Sequence, residues 1–313
     1  MTTPFMPIVL ACRQMLPLAK RIADQNRTIS LCDVDWKRFN DGWPDIFVQH
    51  IKSLVENRDV FFLASFDKPG DVFEQLALIY ALPRYLARSV TVILPYFPTG
   101  TMERVDHEGQ IATAQTLARM LSAIPLSTQG PARIVLYDIH ALQGRFYFGD
   151  QVIPILETTM PLIKEILSKE TNISIAFPDE GALKRFGSAF DDDNKIICSK
   201  TRLGDQRQVR IADGDPSGRH VVIVDDLVHS GTTLIECRNA LIEAGAALVS
   251  CFVPHAIFEK RAWEKFIGQN AGLFANFWVT DSCPTTIKKI GNQAPFKVLS
   301  LAPSIAHFIL TSR

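Results

Sequence analysis

His220-Val-Val-Ile-Val-Asp225-Asp226-Leu-Val-His229-Ser230-Gly231-Thr232-Thr233-Leu234 reads as a buried strand that runs directly into a polar turn. Four consecutive apolar, mostly β-branched residues suit a strand covered on both faces, as in a parallel sheet between helices. Two adjacent carboxylates at its end have no packing reason to be there. The turn then offers hydroxyls and backbone N–H groups from Ser230, Gly231, Thr232 and Thr233 at the start of a helix, where the dipole favours a phosphate. Acidic groups for sugar hydroxyls or a metal thus stand beside donors for an anion in one strand-turn-helix unit. Read alone, the segment is also compatible with an acidic turn followed by an ordinary Ser/Thr helix cap.

Working outward, strand-like runs alternate with helix-length amphipathic segments almost throughout, which predicts an α/β chain with parallel sheets flanked by helices. The predicted strands are Val60 to Leu63, Val90 to Leu94, Ile134 to Tyr137, Ile173 to Ala176, Val221 to Val224, Leu248 to Val253 and Phe277 to Thr280. Several end in polar, Gly- or Pro-containing turns, where ligands gather in open α/β sheets. The unit Asp59 to Gly70, with its helix and the following Val90 to Pro95, mirrors the unit from His220 through Gly231 to Pro254, and the two glycines stand 161 positions apart. That spacing suits one domain repeated. The first copy has Ala64-Ser65 where the second has Asp225-Asp226, so the sugar site is expected in the second half alone.

A chain of 313 residues with 47% hydrophobic content accommodates two domains of ordinary size. Lys plus Arg and Asp plus Glu are equal at 33 each, so no bulk field draws the protein to nucleic acid or to an anionic membrane. The six cysteines are scattered without a CxxC pair, which argues against a zinc site and a secreted disulfide framework. With no basic n-region and no long apolar run at the N-terminus, the expected location is cytoplasmic.

No GxxxxGK[ST] and no GxGxxG occurs, so a nucleotide would be held by another device. Phe39-Asn-Asp41-Gly-Trp43 places an aromatic in a turn beside a carboxylate, suited to stacking on a base or to nothing beyond a turn. Pro95-Tyr-Phe97 leads from a strand towards Arg104. His140 follows a strand and Asp138; imidazole there is either structural or suited to a divalent metal and its bound phosphate. Asp179, in Phe177-Pro-Asp-Glu-Gly181, is a second strand-end carboxylate, suited to hydrated magnesium. The charged, glycine-bearing segment from Phe190 to Asp213, with Lys200 and Arg202, reads as a mobile excursion or a solvated hairpin.

The Asp-Asp loop resembles the phosphoribosyl-pyrophosphate loop of the type I phosphoribosyltransferase fold, a fold that does not by itself fix the reaction. Taken in order, Phe-x-Asp-Gly, Pro-Tyr-Phe with a later Arg, Asp-x-His-Ala, Pro-Asp-x-Gly, Lys-x-Arg and the Asp-Asp loop resemble ribose-phosphate pyrophosphokinase from about Phe39 to the C-terminal helix. The likeness is greatest to the plant-type class II enzymes, through Ala64-Ser-Phe66, Pro98-Thr-Gly-Thr101, Arg145-Phe-Tyr-Phe-Gly149 and Phe277-Trp-Val-Thr-Asp-Ser282. It implies two related type I domains, residues 1–158 and 159–301, with a closing helix over 302–313 packed on the first.

The implied reaction moves the β,γ-pyrophosphoryl group of ATP, or of another nucleoside triphosphate, to ribose 5-phosphate with Mg2+, releasing AMP. Asp225 and Asp226 would bind the ribose hydroxyls, and Ser230, Gly231, Thr232 and Thr233 the 5-phosphate. His140 and Asp179 would serve magnesium, with the histidine also acting on the phosphates. Phe39, Asp41 and Arg104 would hold the nucleotide, the first two reaching it from a neighbouring subunit of a homo-oligomer. Lys200 and Arg202 would close over the reacting phosphates. His229 departs from the family pattern, standing where many members carry aspartate. Two alternatives share the loop: a phosphoribosyltransferase, which has no use for the nucleotide residues, and a non-catalytic regulator, which would be expected to lose His140, Lys200 and Arg202.

Overall fold

The computed structural model describes residues 6–99, 101–103, 105–203 and 206–312, with the backbone alone described at 193, 200–203 and 206–208. The chain divides into two compact units, Met1–Glu157 with Ser300–Arg313, and Thr158–Leu299.

In the first unit the strands are β1 (Ile8–Ala11), β2 (Ser30–Leu31), β3 (Asp35–Arg38), β4 (Pro44–Phe47), β5 (Asp59–Leu63), β6 (Ser89–Leu94), β7 (Ala132–Tyr137) and β8 (Val152–Glu157). Six of them form a parallel sheet in the order β2-β1-β5-β6-β7-β8, and β3 and β4 make a separate antiparallel hairpin. The inner strands are buried on both faces because their sequences are continuously apolar: Val60, Phe61, Phe62 and Leu63 are at most 1% exposed. Helices α1 (Leu16–Gln25), α2 (Ile51–Val55), α3 (Pro69–Arg84) and α4 (Thr113–Ser122) connect the strands.

The second unit contains β9 (Ile173–Phe177), β10 (Lys195–Leu203), β11 (Gln206–Asp213), β12 (His220–Val224), β13 (Leu227–Val228), β14 (Leu248–Phe252), β15 (His255–Ala256), β16 (Phe277–Thr280) and β17 (Phe296–Leu299). Its seven-stranded sheet runs β11-β10-β9-β12-β14-β16-β17, parallel except for β11 on β10. Helices α5 (Met160–Leu167), α6 (Glu180–Phe186), α7 (Thr232–Glu243) and α8 (Pro284–Ile290) complete it, and α9 (Ala302–Thr311) returns to the first unit, against α1.

Numbered by chain order within each main sheet, and leaving out the antiparallel β11, both units run 2-1-3-4-5-6. The repeat that the two glycine loops suggest is therefore a repeat of topology. Strand β5 of the first unit corresponds to β12 of the second. The two loops after these strands have diverged chemically. In the first, the fully buried Gln75 side chain fills the loop: its Nε2 donates to the Ser65 carbonyl at 2.6 Å and its Oε1 accepts from Ser65 N at 3.0 Å. The Ser65 N–H at the start of this loop is thus engaged by a buried amide and is not offered to an anion.

The segment from Phe190 to Asp213 is a hairpin, though only partly a solvated one. Residues Lys195 to Ile197 pair with β9, and Ile196 and Cys198 are buried, so its root is part of the sheet and core. Among the described residues no helix is long and apolar enough to cross a membrane.

Candidate active site

The candidate site residues of the second unit gather at the carboxyl ends of adjacent parallel strands, the edge at which open α/β sheets bind ligands. Strand β9 delivers Asp179, β12 delivers Asp225 and Asp226, and β14 leads to His255. The β10–β11 hairpin continues beyond the end of β9. From Cys198 to Leu203 the strand β10 pairs with β11 alone, so the backbones of Lys200 and Arg202 lie on a ribbon that overhangs this edge. Their side chains lie outside the described residues.

Asp226 is 2% exposed and Asp225 is half-buried. Their partner is Arg185, on α6, whose Nη2 lies 2.7 Å from Asp226 Oδ1 and 3.4 Å from Asp225 Oδ1. Asp225 Oδ1 also accepts from Asp226 N at 2.9 Å. Burial first, and then the neighbouring Asp226 carboxylate, push the Asp225 carboxyl well above the usual carboxylate range; Arg185 pulls the other way. Asp179 is the N-cap of α6, its Oδ1 accepting from Ala182 N at 3.0 Å.

The turn after Asp226 leads into α7 without a side-chain cap. Gly231 is the N-cap residue with φ 75°, and Ser230 Oγ instead accepts from Thr232 N at 3.3 Å. A side chain at 231 has no room, because a Cβ there would meet the Phe266 ring at 2.4 Å. Phe266 belongs to a cluster with Phe258, Phe274, Phe277 and Phe296, ring centroids 4.9–6.3 Å apart, so the floor of the turn is rigid. Gly231→Ala is expected to cost about 1–3 kcal/mol through overpacking, with left-handed strain in addition. Chemical denaturation monitored by far-UV circular dichroism checks this, and an unchanged midpoint would remove the steric account.

Residues 255–266 brace this turn throughout its length. His255 N donates to Asp226 O at 3.0 Å, Phe258 N to Val228 O at 2.9 Å and Lys265 Nζ to Ser230 O at 3.0 Å. His229 Nδ1 stands 2.9 Å from Glu259 Oε1 without hydrogen-bond alignment. The brace includes Phe258, Lys260 and Arg261 in left-handed backbone, at φ 47°, 50° and 64°. Such strain persists where the surroundings over-determine the conformation, as they do against this loop.

In the first unit, His140 follows the carboxyl end of β7, half-buried, just beyond Asp138 in left-handed backbone at φ 39°. Phe39 and Asp41 lie at the tip of the β3–β4 hairpin, and Phe39 is 57% exposed. Asp41 Oδ1 accepts from Trp43 N at 3.2 Å, and Trp43 packs edge-on against Phe73 at 5.4 Å. The carboxylate read from sequence as a base partner thus also closes its own turn. Arg104 lies outside the described residues.

A hydrated magnesium ion needs one or two carboxylates and takes its remaining ligands from water and phosphate. Among the described residues no group of three or more His, Cys, Asp or Glu side chains is arranged to hold a metal by itself. A half-buried Asp179 at a strand end fits the sparse donor set that magnesium uses. His140 fits a phosphate oxygen better than a hard cation, because imidazole is the softer ligand.

Sequence reading missed Arg185 and the brace. Two adjacent buried carboxylates require a cation, and an arginine beside Phe186 on the helix after a strand-end aspartate was the available signal. The brace carried no local signal, since its left-handed residues are Phe, Lys and Arg rather than Gly or Asn.

Residues 8–124 match the N-terminal domain of ribose phosphate pyrophosphokinase, and residues 180–280 match the phosphoribosyl transferase domain. The chain is 51% identical over 302 residues to the ribose-phosphate pyrophosphokinase 3, mitochondrial, of Spinacia oleracea, covering 94% of this chain and 74% of that protein. It is 50% identical to ribose-phosphate pyrophosphokinase 4 of Arabidopsis thaliana, covering 94% and 89%. The crystal structure of phosphoribosylpyrophosphate synthetase from Mycobacterium smegmatis superposes with a TM-score of 0.81 at 23% identity, over 98% of each chain, which shows the same fold. With family domains matched in both units and about half of the residues identical to relatives over 94% of its length, the chain belongs to the ribose-phosphate pyrophosphokinases, enzymes of the transferase class.

Proposed function

We propose that this chain transfers the β,γ-pyrophosphoryl group of ATP to the 1-hydroxyl of ribose 5-phosphate, giving AMP and 5-phosphoribosyl 1-pyrophosphate. The observation that carries the reading is the joint arrangement of Asp225, Asp226 and the Gly231 turn at the carboxyl edge of one sheet, with Arg185 beside the carboxylates. Asp225 and Asp226 accept hydrogen bonds from the ribose 2- and 3-hydroxyls. The N–H groups and hydroxyls of Ser230, Gly231, Thr232 and Thr233 receive the 5-phosphate, so the sugar spans the turn with its 1-hydroxyl free to attack the β-phosphorus as AMP leaves.

Such a transfer needs no covalent nucleophile; it needs in-line positioning and neutralisation of the moving phosphoryl oxygens. Asp179 would hold magnesium, which would supply charge neutralisation when bound, and His140 would act on the nucleotide phosphates. Lys200 and Arg202, on the overhanging ribbon, add cations where negative charge develops. Phe39, Asp41 and Arg104 hold the nucleotide, with Phe39 and Asp41 exposed on a hairpin that serves a neighbouring subunit. A homo-oligomer follows from that arrangement. All six cysteines are free, which suits a reducing compartment such as the cytoplasm.

The test is release of AMP from ATP by purified protein, with and without ribose 5-phosphate and magnesium. AMP formed in step with 5-phosphoribosyl 1-pyrophosphate, and only when both are present, is the expected result. ADP or inorganic phosphate as the nucleotide-derived product would defeat the reading.

A further inference from the structure

A buried pair of neighbouring carboxylates is not a stable arrangement by itself, and the distances around Asp225 and Asp226 show how this protein keeps one. Arg185 Nη2 lies between the two, 2.7 Å from Asp226 Oδ1 and 3.4 Å from Asp225 Oδ1. The guanidinium is mostly buried, its side chain 15% exposed, so the contact is little screened by solvent. Arg185 is also held from behind. It projects from α6, which Asp179 caps, and its guanidinium carbon lies 5.7 Å from the Phe186 ring centroid; Phe186 packs in the core cluster that contains Val222 and Val224 of β12. Gly181 provides the space: a Cβ there would stand 3.1 Å from Asp179 Oδ1 and 3.5 Å from Arg185 Nη1. Helix α6 thus carries a strand-end carboxylate at its start and, six residues on, the cation that serves the next strand.

We propose that Arg185 is a positioning residue for ribose 5-phosphate, fixing the rotation of both carboxylates so that they meet the sugar as preorganised acceptors. The inference rests on reading residues 225–233 as the ribose 5-phosphate site. With Asp225 Oδ1 engaged by both Arg185 and the Asp226 N–H, the carboxylate plane is fixed before substrate arrives. Removing the guanidinium takes away the cation that offsets the repulsion between the carboxylates and one of the contacts that orient them, which weakens sugar binding without touching the nucleotide or the transferred group.

The experiment compares steady-state kinetics of the full chain with Arg185→Met, Arg185→Lys and the double variant Asp225→Asn/Asp226→Asn, together with calorimetric titration of ribose 5-phosphate. Arg185→Met keeps the apolar stem and loses the charge. Its KM for ribose 5-phosphate is expected to rise on the order of tenfold to a hundredfold, the effect of losing a buried charge-assisted hydrogen bond, while kcat and the KM for ATP stay within about threefold. Arg185→Lys restores a cation of shorter reach and is expected to recover most of the loss, leaving a deficit of a fewfold. Equal deterioration of both KM values and kcat would mean a structural role only and would overturn the proposal, as would an unchanged KM for ribose 5-phosphate. If Arg185→Met does not fold, Arg185→Lys decides alone: a selective rise in the sugar KM supports the proposal and wild-type values overturn it. The double asparagine variant separates the two readings. If it still binds ribose 5-phosphate, the sugar site itself is misassigned; if it loses the sugar while Arg185→Met does not, only the role of Arg185 fails.

Discussion

Lys200→Ala is expected to lower kcat at least a hundredfold while leaving the affinity for ribose 5-phosphate nearly intact. The expectation comes from where the chain puts this residue. Its backbone lies on the part of β10 that has left β9 and pairs only with β11, at Val209, so it overhangs the carboxyl edge where the Asp225–Asp226 turn begins. Under the proposed function a cation on this ribbon would serve the transferred phosphoryl group, and the sugar contacts would fall to the turn after Asp226. A donor that acts on charge developing in the transition state is worth about 2.7–4 kcal/mol in a water-excluded site, and its loss appears in kcat. The same reasoning covers Arg202, two residues further along the ribbon. Single-turnover and steady-state rates, with ribose 5-phosphate titrated separately, measure the two quantities. A raised KM with unchanged kcat would place Lys200 in ground-state binding and end its assignment to the reacting phosphates.

The fold was legible where the sequence is continuously apolar. The inner strands β5, β6, β7, β9, β12, β14 and β16 announced themselves by apolar runs that need cover on both faces, whereas β1, an inner strand as apolar and as buried, was not read from its four residues Ile8–Ala11. Strands at the sheet margins did not. β8 contains Pro154 and lies at one edge, and β17 lies at the edge of the other sheet, with Lys297 breaking its apolar run. Edge strands face fewer neighbours, so their sequences are less constrained and read as loops. The hairpin root escaped for another reason: Ile196 and Cys198 are buried within a segment whose charges suggested solvent throughout. At the site, residues whose chemistry is local could be read directly, the Asp-Asp pair and the Gly231 turn above all. Residues that act by reaching across strands could not. Arg185 is 40 and 41 positions from its two partners, and Lys265 is 35 from Ser230. Only the parallel register that sets β9 beside β12 brings the first of these contacts about.

Replacing Asp225 and Asp226 together by asparagine is expected to abolish measurable ribose 5-phosphate binding, and Asp225→Asn alone is expected to raise the thermal stability of the ligand-free protein at neutral pH. Both effects come from the same electrostatics. Ionised carboxylates accept the sugar hydroxyls more strongly than neutral amides, and amides also leave the mostly buried Arg185 without its counter-charges. For stability the sign follows from linkage. Asp225 binds its proton more tightly folded than unfolded, because burial and Asp226 raise its carboxyl well above the ordinary value of 3.8. Between the unfolded and folded pKa values the native state holds more protons, so stability falls as pH rises through that window. Asparagine cannot ionise, and the part of the pH dependence due to Asp225 goes with it. The wild-type melting temperature should therefore decline, as pH rises from the unfolded carboxylate value to the raised folded one, more steeply than that of Asp225→Asn, with the variant the more stable above that window. On the proposed assignment, an ionisable group is kept in an unfavourable place because the sugar would require its charge, the kind of conflict between stability and function expected at a binding site. Calorimetry and pH-dependent melts test the two halves independently. A double variant that binds ribose 5-phosphate normally would end the loop assignment, and parallel melting curves for wild type and Asp225→Asn would show that Arg185 already neutralises the pair.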